Sequence, residues 1–226
     1  MNLQPIELWG HWGAPNPWKV VIILEELKLP HKIHKLELTE VKSDDYVKLN
    51  PNGRLPTIMD PNTGITLWES GAIISYLIDQ YDTNGDISFD TTPEKYLAKQ
   101  WLAFQISDQG PYYGQAIWFA RFHSEKLSSA IDRYVNELIR VIDVLNEALE
   151  REGTGWLVGG KCTYADLAFV TWASLGYGLL KQLNRLEEIA KYDKYAGWIE
   201  ALERRETVKK VLDLVAKGRS EHGLPN

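Results

Sequence analysis

Apolar and polar residues alternate through Ile6-Glu7-Leu8-Trp9. Beyond a turn-forming stretch, His11-Trp12-Gly13-Ala14-Pro15-Asn16-Pro17, the chain becomes strongly apolar from Trp18 to Leu27. Alternation marks a strand with one covered face, and a longer apolar run with polar punctuation marks a helix. The same reading predicts strands at residues 6–9, 32–38, 56–60 and 65–68, and helices at 17–29 and 70–81. Strands and helices in alternation imply a βαβ unit, two parallel strands joined by a crossover helix. The turn cluster Asp60-Pro61-Asn62-Thr63-Gly64 joins the last two strands so closely that they must form an antiparallel hairpin. The predicted order is βαβ, then ββα.

Residues 82–93, rich in turn formers and poor in core residues, read as a linker. From Pro93 onward the spacing is helical. Over residues 134–149, Val135, Leu138, Ile139, Ile142, Leu145 and Leu149 recur at steps of three and four, while Asn136, Glu137, Arg140, Asp143 and Glu147 fill the other face. Thr163-Tyr164-Ala165-Asp166 then opens the apolar run Leu167-Ala168-Phe169-Val170 in the manner of a capping box, which is a structural device.

Composition narrows the function. The 226 residues suit one large or two modest domains, and a chain 44% hydrophobic and 25% charged has enough apolar material for a real core. A net charge of -6 argues against a nucleic-acid backbone as partner, which would need a basic face. No apolar run reaches the length of a membrane span, and the first residues carry no secretory pattern. Cys162 is the single cysteine, so an intrachain disulfide and a CxxC redox or zinc motif are excluded; it reads as an inert packing residue in a reducing cytoplasm.

The first turn carries the chemistry. Pro17 suits the first helical position, which needs no backbone N–H, and this makes Asn16 the expected N-cap. A cap needs only an oxygen, so Asn16 fits a structural part. Helical N–H groups and the positive end of the helix dipole also meet here, which suits an anion or a thiolate. His11, near a strand end, reads as a packing residue and not as a base.

Together, the small βαβ-ββα domain, Arg54-Leu55-Pro56 at the third strand, Trp68-Glu69-Ser70-Gly71 opening the last helix and the Thr163 to Asp166 box resemble cytosolic glutathione transferases along nearly the whole chain. Ala14-Pro15-Asn16, Asn50-Pro51-Asn52, Gly114-Gln115-Ala116 and Phe122-His123-Ser124 look most like the fungal class related to the yeast nitrogen-regulatory prion protein and to bacterial disulfide-reducing homologues. The resemblance implies an α/β plus all-α architecture: a thioredoxin-like domain over residues 1–82, a linker at 83–93 and a helical bundle at 94–226. It implies glutathione as co-substrate with no other cofactor, a small hydrophobic electrophile, disulfide or peroxide as second substrate, and a cytoplasmic homodimer with neither nucleic acid nor membrane as partner. A glutathione-binding regulatory protein with little turnover is the rival reading.

The resemblance also assigns roles. Ser70, as a helix cap, would offer hydroxyl and N–H to the γ-glutamyl carboxylate, and Glu69 would face the ammonium. Pro56 resembles the family's cis-proline, which presents the backbone of Leu55 to the ligand's cysteine. Lys42 and Arg54 are the candidates for the glycyl carboxylate, with Val41 standing where the yeast homologue places a histidine. Asn16 cannot be a general base, having no titratable proton, but its amide can donate to a thiolate. Lowering a thiol from a pKa of about 8.5 by two units is worth about 2.7 kcal/mol and makes it mostly thiolate at pH 7. Trp12, Tyr112, Tyr113, Trp118, Phe119 and Phe122 would wall the second-substrate pocket between the domains.

Overall fold

In the computed structural model, which describes residues 3–224, the alternating stretch Ile6–Gly10 forms strand β1 with Ile6 and Leu8 buried. β1 runs parallel to β2 (His31–Lys35) and antiparallel to β3 (Thr57–Asp60), which forms a hairpin with β4 (Ile65–Trp68), giving the sheet order β2-β1-β3-β4. Helix α1 (Pro15–Glu26) crosses from β1 to β2, and α3 (Ser70–Tyr81) follows β4. The short α2 (Asp44–Leu49), capped by the Ser43 hydroxyl, occupies a stretch to which the pattern assigns no element. Six residues among turn formers are too few to show a helical period.

Two compact units result, Met1–Ser88 with Glu206–Asn226, and Phe89–Arg205. The sequence reading keeps 206–226 with the helical bundle. The structure groups them with the first unit because α10 (Glu206–Glu221) packs on α1, with Val208 and Val211 buried. Lys210 pairs with Glu25 at 2.7 Å, and the Thr207 hydroxyl donates to Glu26. This explains why α1 is apolar around its circumference: every residue from Pro17 to Leu24 is buried, with α3 and α10 both packed on the helix.

The second unit is helical. α4 (Glu94–Phe104) passes through a π-helical turn, Gln105–Gln109, into α5 (Gly110–Arg121). Inside that turn the buried Gln105 amide donates to Gln109 at 2.9 Å, and Gln109 donates to the Phe169 carbonyl at 3.1 Å. α6 (Ser128–Glu152) buries the predicted stripe and ends at Gly153, whose φ of 69° suits glycine. α7 (Tyr164–Leu167), α8 (Val170–Gln182) and α9 (Asp193–Glu203) complete the unit. No helix among the described residues is long and apolar enough to cross a membrane.

Candidate functional site

Asn16, Asn50, Arg54, Leu55, Pro56, Glu69 and Ser70 line one small cavity of about 80 Å³ in the first unit. They come from the starts of α1 and α3 and from the loop before β3, so the sheet's topology brings three separate stretches of chain together. The structure thus gathers Asn16, Arg54, Leu55, Pro56, Glu69 and Ser70 from the sequence-derived set. Lys42 stands apart: its ammonium donates to the Asn52 carbonyl at 2.9 Å and does not line the cavity.

Two helix starts differ from expectation. α1 begins at Pro15 with Ala14 as N-cap and no side-chain cap bond, so Asn16 lies inside the first turn. Both Pro15 and Pro17 suit a first turn, and the chain uses both. Neither carries an N–H, and the Trp18 N–H donates within the helix to the Ala14 carbonyl, so Asn16 is the one residue of α1 before Trp18 that carries a backbone N–H. The turn is braced from behind. Trp18 Nε1 donates to the His11 carbonyl at 3.0 Å, and the Gly13 N–H donates to His11 Nδ1 at 3.0 Å. Burial pushes the His11 imidazole below its ordinary pKa.

At α3 the N-cap is Glu69 and not Ser70. Glu69 adopts φ 68° and ψ 110°, a backbone conformation costly for a side-chain-bearing residue, of order 1 to 3 kcal/mol, and found mainly where function requires it. Ser70 therefore stands at the first helical position. It is buried, and its hydroxyl has no hydrogen-bond partner among the described residues. Its N–H is one of the orphan donors of the helix start.

Leu55 precedes a cis proline, Pro56, and its N–H and C=O make no backbone hydrogen bond among the described residues. The loop is held by Asn50, whose amide donates to the Arg54 carbonyl at 2.7 Å and to Thr57 Oγ1 at 3.1 Å, and by the Tyr46 hydroxyl, which donates to that carbonyl at 2.8 Å. The Arg54 side chain is exposed and makes no ion pair among the described residues.

Sequence reasoning missed Asn50 as a lining residue and Lys19 as a buried cation that feels the Glu69 charge. Asn50 had a signal in its N-P-N turn. Lys19 had only its position, a lone cation in an apolar run. It is 1% exposed, and burial pushes its ammonium down to about 7 against the opposing pull of the Glu69 carboxylate.

The proposed second-substrate residues divide. In the first unit Trp12 stacks on Trp18, 4.9 Å between centroids, with the Lys35 ammonium 3.6 Å from its ring. In the second unit Tyr113 is wholly buried, Tyr112 lies against Arg140, Phe119 stacks on Tyr134 at 5.5 Å, and Trp118 and Phe122 are exposed.

Family models match both parts of the chain. Residues 4–79 match the glutathione S-transferase N-terminal domain and residues 113–213 the C-terminal domain. The chain therefore belongs to the glutathione S-transferase family. It is 48% identical over 225 residues to the glutathione S-transferase-like protein gedE of Aspergillus terreus, covering 95% of this chain and 97% of that one. It is 36% identical to the protein URE2 of Candida maltosa, over 85% of this chain and 71% of the relative. Among solved structures, the glutathione transferase URE2P6 of Phanerochaete chrysosporium, in complex with oxidized glutathione, superposes with a TM-score of 0.88 at 43% identity, over 95% and 98% of the two chains.

Proposed function

We propose that the chain is a glutathione-dependent transferase whose first-unit cavity binds glutathione and activates its thiolate. The observation that carries this reading is the convergence of Asn16, Leu55, Glu69 and Ser70 on one cavity. Ser70, with its unpartnered hydroxyl and helix-start N–H, receives the γ-glutamyl carboxylate, while Glu69 pairs with the ammonium. The free N–H and C=O of Leu55 pair with the cysteinyl backbone. Arg54 takes the glycyl carboxylate in preference to Lys42, because it lines the cavity and is not otherwise engaged. The Asn16 amide then donates to the sulfur, and the start of α1 favours its negative charge.

The activated thiolate serves conjugation to small hydrophobic electrophiles or reduction of disulfides and peroxides. In disulfide reduction it attacks one sulfur and expels the other as a thiolate. A second glutathione thiolate then resolves the mixed disulfide, so two thiols supply two electrons and glutathione disulfide leaves. No protein cysteine is consumed, in keeping with the single, buried Cys162. The working form is a cytoplasmic homodimer, and exposed Tyr96 and Leu97 on α4 offer apolar surface for a second copy.

Purified protein assayed with glutathione against an aryl halide, an organic peroxide and a glutathionyl disulfide should turn over at least one of them. Tight glutathione binding without turnover of any would favour a regulatory protein, and no binding would defeat the reading altogether. Light scattering at micromolar concentration should give the dimer mass.

A further inference from the structure

The second unit contains a larger cavity, about 290 Å³, that the glutathione reading leaves unused. It is of a size to take a small organic molecule. Four tyrosines, Tyr113, Tyr177, Tyr192 and Tyr195, supply aromatic wall, Leu180 and Ile199 supply aliphatic wall, and Glu203 stands among the lining residues. The walls are set by packing: a Cβ on Gly176 would lie 2.7 Å from the Tyr113 ring, so only glycine lets that ring rest on the backbone of α8. Ala196, on α9, borders the cavity with a small side chain.

The electrostatics of this space are one-sided. Glu200 and Glu203 both line it, and Glu200 is engaged by Arg204 at 2.5 Å. Glu203 makes no ion pair among the described residues. Burial and the neighbouring Glu200 push its carboxyl above the ordinary range, and burial, with the Glu203 charge as a lesser cause, pushes up the phenol of Tyr195. No lysine, arginine or histidine lines the cavity. Both glutamates are exposed at the edge of the cavity, so an anion entering it would meet two carboxylates, and a neutral ligand would displace water from Glu203 without supplying a charge in return. A cation with an apolar body answers both, because tyrosine faces attract it as well as the carboxylate does.

We propose that this cavity is a second binding site, for a small aryl- or alkylammonium ion whose charged head pairs with Glu203 while its apolar body lies against Tyr177, Tyr195 and Leu180. The site is separate from the cavity at Asn16, since all of its residues lie in the second unit.

The test titrates the full chain with benzyltrimethylammonium by calorimetry, with benzenesulfonate as the anionic control. Saturable one-to-one binding of the cation is expected, unchanged by saturating glutathione, with no binding of the sulfonate. Glu203→Gln should weaken it about tenfold, Ala196→Trp should abolish it, and Ala196→Ser should leave it intact; circular dichroism confirms that each variant is folded. No saturable binding at millimolar cation, equal binding of the sulfonate, displacement by glutathione, or full affinity in Glu203→Gln would each overturn the proposal.

Discussion

Each unit buries a charge at the start of a helix, and the two are handled differently. At α7 the Asp166 carboxylate is fully inside the protein and accepts from the Leu157 N–H, the Thr163 N–H and hydroxyl, and Trp198 Nε1, all at 2.9 to 3.0 Å. Every donor is the protein's own, and the capping box is complete. One turn into α1, Lys19 is buried as deeply, yet the opposite charge acting on it is Glu69, a residue that lines the cavity from a costly backbone conformation. The α7 start is closed and the α1 and α3 starts are open, with no side-chain cap on either. A helix start satisfied from within is architecture, whereas one left open beside a cavity holds donors in reserve for a ligand.

The largest effect should come from breaking the closed site. Asp166→Ala orphans four donors in the interior and should cost about 3 to 5 kcal/mol in urea denaturation. Glutathione affinity of the protein that remains folded should not change. At the open site the effects should fall on the ligand. Glu69→Ala should weaken glutathione binding by roughly 2 to 3 kcal/mol, read by calorimetry. Glu69→Gly should do the same while raising stability by about 1 kcal/mol, since glycine accepts the φ that glutamate bears at a cost. Equal affinity in both variants and wild type would remove Glu69 from the site.

Asn16→Ala should raise the pKa of bound glutathione by about one to two units, the loss of a charge-assisted hydrogen bond worth about 1.5 to 3 kcal/mol. The ultraviolet thiolate absorbance, titrated from acid to alkaline pH, reads this. Stability should change by less than about 0.5 kcal/mol, because the residue does not cap its helix. Lys19 gives a pH signature. Its folded pKa of about 7 lies below the unfolded value of about 10.4, so between these values the unfolded chain binds the extra proton. Stability should therefore rise with pH across that window, by at most about 1.4 kcal/mol per unit, and fall back as pH drops toward 7. Lys19→Met should flatten the slope; an unchanged slope would locate the titration elsewhere. The smallest effect separates two cations. Arg54→Ala should weaken glutathione by about 1 kcal/mol and Lys42→Ala by less, since Lys42 is held by the Asn52 carbonyl.

How far the sequence foretold this depends on what each signal encodes. Alternation located β1 and β4, and the 60–64 turn cluster gave the hairpin of β3 with β4, because side-chain period and turn chemistry are local. The start of α1 slipped by two residues because Pro15 and Pro17 both suit a first turn, and the actual cap, Ala14, has no capping side chain to advertise it. The α3 start was placed at Ser70 correctly, yet nothing local foretells a glutamate at φ 68°. The residues of the candidate site emerged through resemblance, while Asn50 escaped because its part, holding the Arg54 carbonyl, appears only in three dimensions. The stripe on α10 shows that one face is buried but not against what.

That last helix bears on how the molecule is made. Chains leave the ribosome from the N-terminus, and domains usually close in that order. Here the unit begun first needs residues synthesised only after the whole of the second unit, for α10 covers α1 and a Cβ at Gly218 would collide with the Trp12 indole it rests on. The middle of the chain can complete its own core while the beginning still waits. Until α10 has been made, one side of α1 has no cover, so a message stopped at the start of α10 would yield a finished helical unit tethered to an unfinished, apolar one.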